Sequence, residues 1–355
     1  MGSEMCIRDS SFVLLYSVER SWRHPKASGL RTKKLTIPLT QMKSNRSTSI
    51  FKSFVLLFFG AFQINIVLFG GHAIAQQNVL EGIDVKSSEI PGYSAAKVPV
   101  GKIKIDGKLD ESAWLESVKS SEFVDLVSGK ATIHSTRSAI LWDDTNLYIA
   151  FWVQDPDVRA KYKKRDSPIY YDNDIEIFIA AENAYYEFEM NAFGTIYEAF
   201  VMWDDRYDEL KFAAEPTLAK THQRSQPFNG VGYTTHPRGK RTIALDYDFP
   251  KLKSGVFVDG TINDSKDRDR GWTAEIALPW ESMKKHLLKG DSRSCPPKAN
   301  DVWRINLFRF NQYKEAAPAK DSGGWAWSKH SVWDSHVPEC FPKIKFGAAK
   351  KEKQP

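Results

Sequence analysis

The chain has 355 residues and a formal net charge of +6, and 13% of its residues are aromatic. The basic excess is confined to the start, because residues 1–75 carry 10 Lys and Arg against 3 Asp and Glu, whereas the rest carries 40 against 41. Beyond residue 75 there is no basic surplus to support nucleic-acid binding, and we expect no nucleic-acid partner.

Residues 42–75 have the pattern of a secretory signal peptide. Basic residues precede the apolar run FVLLFFGAFQINIVLF, and the small residues ending at Ala75 fit a cleavage site. We therefore predict a non-native extension over 1–41, cleavage near Ala75, a periplasmic or secreted protein without membrane attachment, and a linker over 76–97. The alternative is that the apolar run is retained as a membrane anchor.

Residues 98–349 are predicted to form one domain, followed by a tail over 350–355. Short helices are predicted within LDESAWLESV and over 280–288, and long loops over 206–253. The many short strand patterns are typical of an all-β fold, an antiparallel two-sheet β-sandwich of jelly-roll-like or immunoglobulin-like architecture with one or two short helices. These patterns are VGKIKIDG, EFVDLV, ATIHSTRSAILW, NLYIAFWVQ, DIEIFIA, YYEFEMNAF, TIYEAFVMW, GVFVDGTI, GWTAEIALPW and DVWRINLFRF.

Known catalytic and cofactor motifs are missing from the sequence. It contains no GxSxG, no HExxH, no P-loop and no dinucleotide fingerprint, so we expect no organic cofactor. Asp155 and Asp172 lie in oxygen-rich loops and are candidate ligands for calcium. Cys295 and Cys340 follow the signal peptide, and either one disulfide between them or two free thiols agrees with an exported chain.

Acidic residues alternate along two neighbouring strand patterns. Asp174 and Glu176 share one strand face, and Glu187 and Glu189 share another. We interpret them first as a solvated sheet face, then as hydrogen-bonding partners of a ligand, then as a calcium site. Catalysis comes last, although glycoside hydrolysis does require two carboxyl groups.

Aromatic residues give the positive signal for function. A sugar ring has an apolar C–H face and a rim of hydroxyl groups, so flat aromatic side chains beside carboxylates and amides are suited to bind it. Tyr170 precedes an acidic loop, and three tryptophans lie in the C-terminal loop GGWAWSKHSVWDSHVPE. Five other tryptophans lie on apolar strand or helix faces and are predicted core residues: Trp114, Trp142, Trp272, Trp280 and Trp303.

Six segments between about Val98 and Gly347 resemble, in order, the family 9 carbohydrate-binding modules. They are IDGKLDESAW, LWDDTNLYIAFWVQDPD, DNDIEIFI, GWTAEIALPW, DVWRINLFRF and WSKHSVWDSHVPECFPKIKF. The resemblance implies an antiparallel β-sandwich that carries bound calcium and caps the reducing end of a sugar chain between two tryptophans.

The resemblance also implies particular ligand-binding residues. Tyr170 takes the place of the family's first tryptophan, and Trp333 matches the second, with Trp327 in the preceding Trp-Ser pair. Glu176 and Asn191 match the family's polar contacts. Glu189 stands where the sugar-binding members carry an arginine, which exchanges a hydrogen-bond donor for an acceptor.

The leading hypothesis is an exported, non-catalytic carbohydrate-binding protein that acts in polysaccharide catabolism, for example of xylan, alongside separate glycoside hydrolases. One alternative is a hydrolase acting on O-glycosyl bonds through Glu176 and its acidic neighbours. Another is a haem-binding electron-transfer module with Met190 or Met202 as an axial ligand.

Overall fold

The structure is a computed structural model that describes residues 85–231, 236–312 and 321–349. The predicted extension, signal peptide and C-terminal tail, together with 76–84 of the predicted linker, lie outside the described residues. Within the described part of the chain, no helix has the length and apolar character needed to cross a membrane.

Fourteen β-strands and two short α-helices make up the described fold. The helices are α1 (Ser112–Leu115) and α2 (Trp280–His286). The strands are β1 (Gly92–Lys97), β2 (Val124–Asp125), β3 (Thr136–Trp142), β4 (Asn146–Gln154), β5 (Asp174–Ala180), β6 (Ala184–Asn191), β7 (Ile196–Trp203), β8 (Ser225–Phe228), β9 (Arg241–Ala244), β10 (Lys253–Asp259), β11 (Gly271–Pro279), β12 (Val302–Phe310), β13 (Gly324–Ala326) and β14 (Lys343–Ala349).

The strands form one long sheet that folds into the two layers of a β-sandwich. Its order is β10-β11-β4-β3-β1-β14-β12-β5-β6-β7-β9-β8, and β13 pairs with β12 and β2. The main core combines residues from both ends of this order, such as Ile149 and Ile276 with Ile177 and Phe188. The two halves of the sheet therefore pack face to face, and the predicted all-β sandwich is confirmed.

Strict alternation along β4 shows why the sequence folds this way. Leu147, Ile149 and Phe151 point into the main core, whereas Tyr148 and Ala150 belong to a smaller apolar cluster on the outer face. Successive side chains of a strand point to opposite faces, so a strand apolar at every position is covered on both sides. The outer cluster includes Trp114 of α1, and all five predicted core tryptophans are buried.

The sheet is mixed, which corrects the prediction of a purely antiparallel fold. β1 runs parallel to both of its neighbours, β14 and β3. β1 also occupies the last part of the predicted linker over 76–97. It pairs with β14 along most of its length and with β3 at Ala96 and Lys97. No strand forms at VGKIKIDG, and the predicted loop region 206–253 contains β8 and β9.

Both cysteines of the described domain are free thiols, so the disulfide alternative is wrong for this structure. The Cys295 thiol donates a hydrogen bond to the Trp280 carbonyl oxygen at 3.2 Å. Burial raises the pKa of Cys295 to about 11 and that of Cys340 to about 12. Both groups are therefore protonated and poorly nucleophilic at neutral pH.

Candidate functional site

The predicted acidic residues come together on one face of the sheet, the face of β5 and β6 that points away from the main core. Glu176 pairs directly with Glu189 across these strands, Asp174 pairs with Asn191, and Glu187 pairs with Phe178. Directly opposite residues of an antiparallel pair point to the same side, with Cβ atoms about 5 Å apart. We call Asp174, Glu176, Glu187 and Glu189 the acidic floor.

The acidic floor is buried, so the interpretation as a solvated sheet face is wrong. Its four residues are at most 4% exposed. The same face carries an apolar cluster that includes Leu126, Ile169 and Phe341 from segments outside β5 and β6. Alternation predicted which side chains share a face, but the cover comes from parts of the chain distant in sequence.

Each carboxyl group of the acidic floor has one buried oxygen without a hydrogen-bond partner in the structure. These atoms are Oδ2 of Asp174 and Oε2 of Glu176, Glu187 and Glu189. Burial raises the pKa of all four groups, and neighbouring carboxylates raise it further for Asp174, Glu176 and Glu189. The pKa of Glu187 rises to about 8. The floor therefore retains protons at neutral pH, because ionising several close, buried carboxyl groups is costly.

Two of the predicted aromatic side chains lie beside the acidic floor. Tyr170 is 42% exposed, and its ring contacts the edge of Tyr197 at a centroid distance of 5.5 Å. Trp333 is half-buried, and its ring stands perpendicular to Phe310 at 5.6 Å. Both rings therefore contact the face that carries the floor.

The residues that these two rings contact lie on opposite sides of the acidic floor. Tyr197 on β7 pairs with Glu189, and Phe310 on β12 pairs with Asp174. From β12 to β7 there are three strand spacings, or roughly 14 Å. The structure thus places one aromatic side chain on each side of the carboxyl groups.

Asn191 holds the neighbouring loop through buried hydrogen bonds. Its amide nitrogen donates to the Tyr162 carbonyl oxygen at 2.8 Å and to Asp172 Oδ2 at 3.0 Å, and its amide oxygen accepts two backbone N–H groups. It is fully buried. These contacts hold the loop that carries Tyr170, so Asn191 positions the aromatic side chain rather than presenting an open amide.

Trp327 lies elsewhere. Its side chain is 4% exposed and belongs to the main core, where its ring meets Tyr93 edge-on at 5.2 Å. The structure therefore does not bring Trp327 together with Tyr170 and Trp333. Met190 and Met202, the candidate haem ligands, are also fully buried in this core.

The two candidate calcium ligands have protein partners. Asp155 Oδ2 lies 3.2 Å from Arg309 Nη2, and burial raises the pKa of Asp155 although this arginine opposes the shift. Asp172 accepts the backbone N–H groups of Lys161 and Tyr162. Within the three described ranges, no group of three or more His, Cys, Asp or Glu residues is arranged to hold a metal ion. Calcium binding stays a prediction.

A polar cluster beside Glu187 was missed by the sequence reasoning. The fully buried Arg241 donates to Tyr185 Oη at 2.8 Å and to the His336 carbonyl oxygen at 2.7 Å. Burial and Arg241 hold the pKa of His336 well below its usual range, so its ring is neutral, 3.7 Å from Glu187 Oε1. Alternation along β6 could have found Tyr185, whereas nothing local in sequence points to Arg241 or His336.

The outer face of the other half of the sheet has a separate open groove. Its volume is about 400 Å³, and its lining includes Lys119, Arg137, Trp152 and Phe257. Phe257, Thr273, Trp152 and Arg137 form one row across β10, β11, β4 and β3. None of the predicted ligand-binding residues lies in this groove.

Several known proteins are similar to this chain. Among solved structures, the chain is similar to a putative carbohydrate-binding protein from Bacteroides uniformis ATCC 8492, with 15% identity, a TM-score of 0.47, and coverage of 72% of this chain and 99% of that one. It is also similar to a carbohydrate-binding module family 9 from Caldicellulosiruptor kristjanssonii in complex with cellotriose, with 12% identity, a TM-score of 0.40, and coverage of 74% and 97%.

The complex of that module with glucose gives 12% identity and a TM-score of 0.38, again with coverage of 74% and 97%. The comparison with curated proteins gave no match. The family model described as carbohydrate family 9 binding domain-like matches residues 105–333, which is more than half of the chain. The chain therefore belongs to the carbohydrate family 9 binding domain-like family.

Proposed function

We propose that this protein binds a sugar or the end of a polysaccharide chain between Tyr170 and Trp333. The observation that carries the proposal is that these two rings contact one sheet face on opposite sides of the acidic floor. In this arrangement the C–H faces of a pyranose stack on the two rings, and Glu176 and Glu189 lie buried between the residues that support them.

The proposal extends to the setting in which the protein works. An exported protein that acts in polysaccharide catabolism, for example of xylan, beside separate glycoside hydrolases agrees with the signal-peptide pattern over 42–75 and with the family. Calcium bound near Asp155 or Asp172 would stabilise loops rather than contact the sugar. These parts of the proposal depend on the sequence pattern and on family membership.

Isothermal titration calorimetry tests the binding role. The purified protein is titrated with glucose, xylose, cello-oligosaccharides and xylo-oligosaccharides, and with the same ligands after Tyr170→Ala or Trp333→Ala. Removal of an aromatic side chain at the centre of a binding site commonly costs about 2 kcal/mol, or roughly 30-fold in Kd. We expect a loss of that size for each substitution.

Phe257→Ala supplies the matched control. Phe257 is 41% exposed, much like Tyr170, but it lies on the outer face of the other half of the sheet. Its removal is expected to leave affinity unchanged. No binding of any of these sugars by the folded protein would refute the proposal, as would equal affinities for the wild type and the Trp333→Ala variant.

A hydrolase acting on O-glycosyl bonds is the second candidate. It is favoured by the direct pairing of Glu176 with Glu189, because a glycosidase needs two neighbouring carboxyl groups. The raised pKa suits the group that acts as the acid, whereas the second group must ionise to act as base or nucleophile. Release of reducing sugar from xylan or cello-oligosaccharides by the pure protein, abolished by Glu176→Gln, would support it. Binding without any release of reducing sugar would exclude it for those substrates.

A further inference from the structure

The open groove across β10, β11, β4 and β3 is large enough to hold a small ligand. Its volume of about 400 Å³ falls within the range of small-molecule sites, roughly 300–1,000 Å³. Residues that pair directly across antiparallel strands point to the same face, so one row of side chains crosses the groove. This row is Phe257, Thr273, Trp152 and Arg137.

The two ends of this row differ in chemistry. At the β10 end, Phe257 presents an exposed aromatic ring to the groove. At the β3 end, the Lys119 ammonium lies 3.9 Å from the centroid of the Trp152 ring, and Arg137 pairs with Trp152 across the strands. Two cationic side chains therefore lie together at one end, and an apolar ring lies at the other.

The cationic end has more positive charge than its acidic neighbours neutralise. The groove is lined by three basic residues, Lys119, Arg137 and Arg270, and by one acidic residue, Asp259, which lies 2.7 Å from Arg270. Glu122 lies 3.4 Å from Arg137, with both side chains partly exposed to water. Among the described residues, no acidic side chain pairs with Lys119, and burial and the charge of Arg137 lower its pKa. The Lys119 ammonium thus keeps its donors available to an anion.

We propose that this groove binds a second kind of saccharide, one that carries a carboxylate. Lys119 and Arg137 bind the carboxylate, and the apolar C–H face of the sugar packs on Phe257. A carboxylate accepts charge-assisted hydrogen bonds, which are roughly twice as strong as neutral ones, whereas a neutral sugar offers no charge to these two side chains. From β10 to β3 there are three strand spacings, or roughly 14 Å, which favours a ligand of more than one sugar ring.

This second site is independent of the proposed one between Tyr170 and Trp333, because none of the lining residues is shared. The Trp333→Ala variant therefore isolates the groove. Isothermal titration calorimetry is carried out on the wild type and on this variant with glucuronic acid, digalacturonic acid, glucose and sodium acetate. Glucuronic acid and glucose differ in one substituent, a carboxylate or a hydroxymethyl group, and acetate supplies a carboxylate without a ring.

In Trp333→Ala we expect glucuronic acid to bind at least about tenfold more tightly than glucose at low salt, which corresponds to one charge-assisted contact. Digalacturonic acid should bind at least as tightly as glucuronic acid. The advantage over glucose should disappear at about 1 M salt, where the Debye length is about 3 Å and exposed charges are screened.

Substitutions in the groove test the residues. Lys119→Gln and Arg137→Gln each remove one positive charge and should weaken binding of glucuronic acid by about tenfold, without changing the affinity for glucose. Phe257→Ala should weaken the acidic sugars alone. Lys284→Gln, at an exposed lysine on α2 that does not line the groove, is the matched control and should bind as the wild type does. A thermal unfolding scan confirms that each variant is folded.

The outcomes separate this site from the proposed function. Glucuronic acid that binds no more tightly than glucose overturns the inference, as does acetate that binds as tightly as glucuronic acid. Glucuronic acid binding that is lost in Trp333→Ala but kept in Lys119→Gln also overturns it and assigns the acidic sugar to the site between the two rings. Glucuronic acid binding that Lys119→Gln weakens, without any binding of neutral sugars, supports the groove and refutes only the proposed function.

Discussion

The most direct consequence of the acidic floor is that Glu187 makes stability depend on pH. Burial raises the pKa of Glu187 from 4.5 to about 8 in the folded protein. Between these pH values the unfolded chain releases this proton while the folded protein keeps it, so the folded state binds more protons. The free energy of unfolding therefore falls as pH rises from about 4.5 to about 8, and it is flat with respect to this group outside that window.

The magnitude follows from the size of the shift. Each pH unit within the window costs up to about 1.4 kcal/mol for one proton, which accumulates to at most about 5 kcal/mol at pH 8. Glu187→Gln replaces the carboxyl group with a neutral amide of similar shape that does not titrate. We expect this variant to match the wild type near pH 4.5 and to be more stable than the wild type at pH 8.

Urea unfolding at pH 5, 6, 7 and 8 measures this difference directly. The wild-type free energy of unfolding should decrease more steeply with pH than that of Glu187→Gln. Glu122→Gln, at an exposed carboxylate, should follow the wild-type curve. Parallel curves for Glu187→Gln and the wild type would refute the reasoning, because they would mean that Glu187 ionises in the folded protein as it does in the unfolded chain.

Three further predictions concern the scaffold. Gly271→Ala should lower the free energy of unfolding by about 3 kcal/mol, because φ at this residue is +133° and the new Cβ would lie 2.0 Å from a carbonyl oxygen. Gly239→Ala is the control: a Cβ at that position has open space around it, so thermal unfolding should show a smaller loss of stability. Glu275→Ala should also lower the free energy of unfolding by about 3 kcal/mol, because a buried indole N–H and two backbone N–H groups lose their hydrogen-bond acceptor. An unchanged unfolding midpoint would contradict this. Reducing agent should leave the unfolding midpoint unchanged, because Cys295 and Cys340 are free thiols; a lower midpoint on reduction would indicate a disulfide.

Most of the sheet could be predicted because its strands carry their own pattern. NLYIAFWVQ and DIEIFIA coincide with β4 and β5 as the structure has them, since alternation and β-branched or aromatic residues specify a strand locally. β1 could not be predicted in this way. Its residues, GYSAAK, have no alternation, and the strand exists because β14 and β3 supply hydrogen-bonding partners on both edges.

The sequence allowed us to predict which acidic residues share a face, but not that these residues are buried. Period-2 spacing placed Asp174 with Glu176 and Glu187 with Glu189, and the structure confirms that all four share one face. Their burial depends on covering residues such as Phe341, which lies more than 150 residues further along the chain. Trp327 shows the same limit, because two residues of the same loop, Trp327 and Trp333, pack in different apolar clusters.

The core itself explains why the four carboxyl groups face one another. On β6, Tyr186, Phe188 and Met190 fill the main core, so the alternate residues Glu187 and Glu189 must point to the other face. A shift of one residue would bury carboxyl groups in the apolar core and expose these large side chains, which strongly fixes the register. Mutual repulsion of the carboxyl groups cannot be relieved by strand sliding. Protonation relieves it instead, in agreement with the raised pKa of all four groups, and so the acidic floor makes the stability of this fold depend on pH.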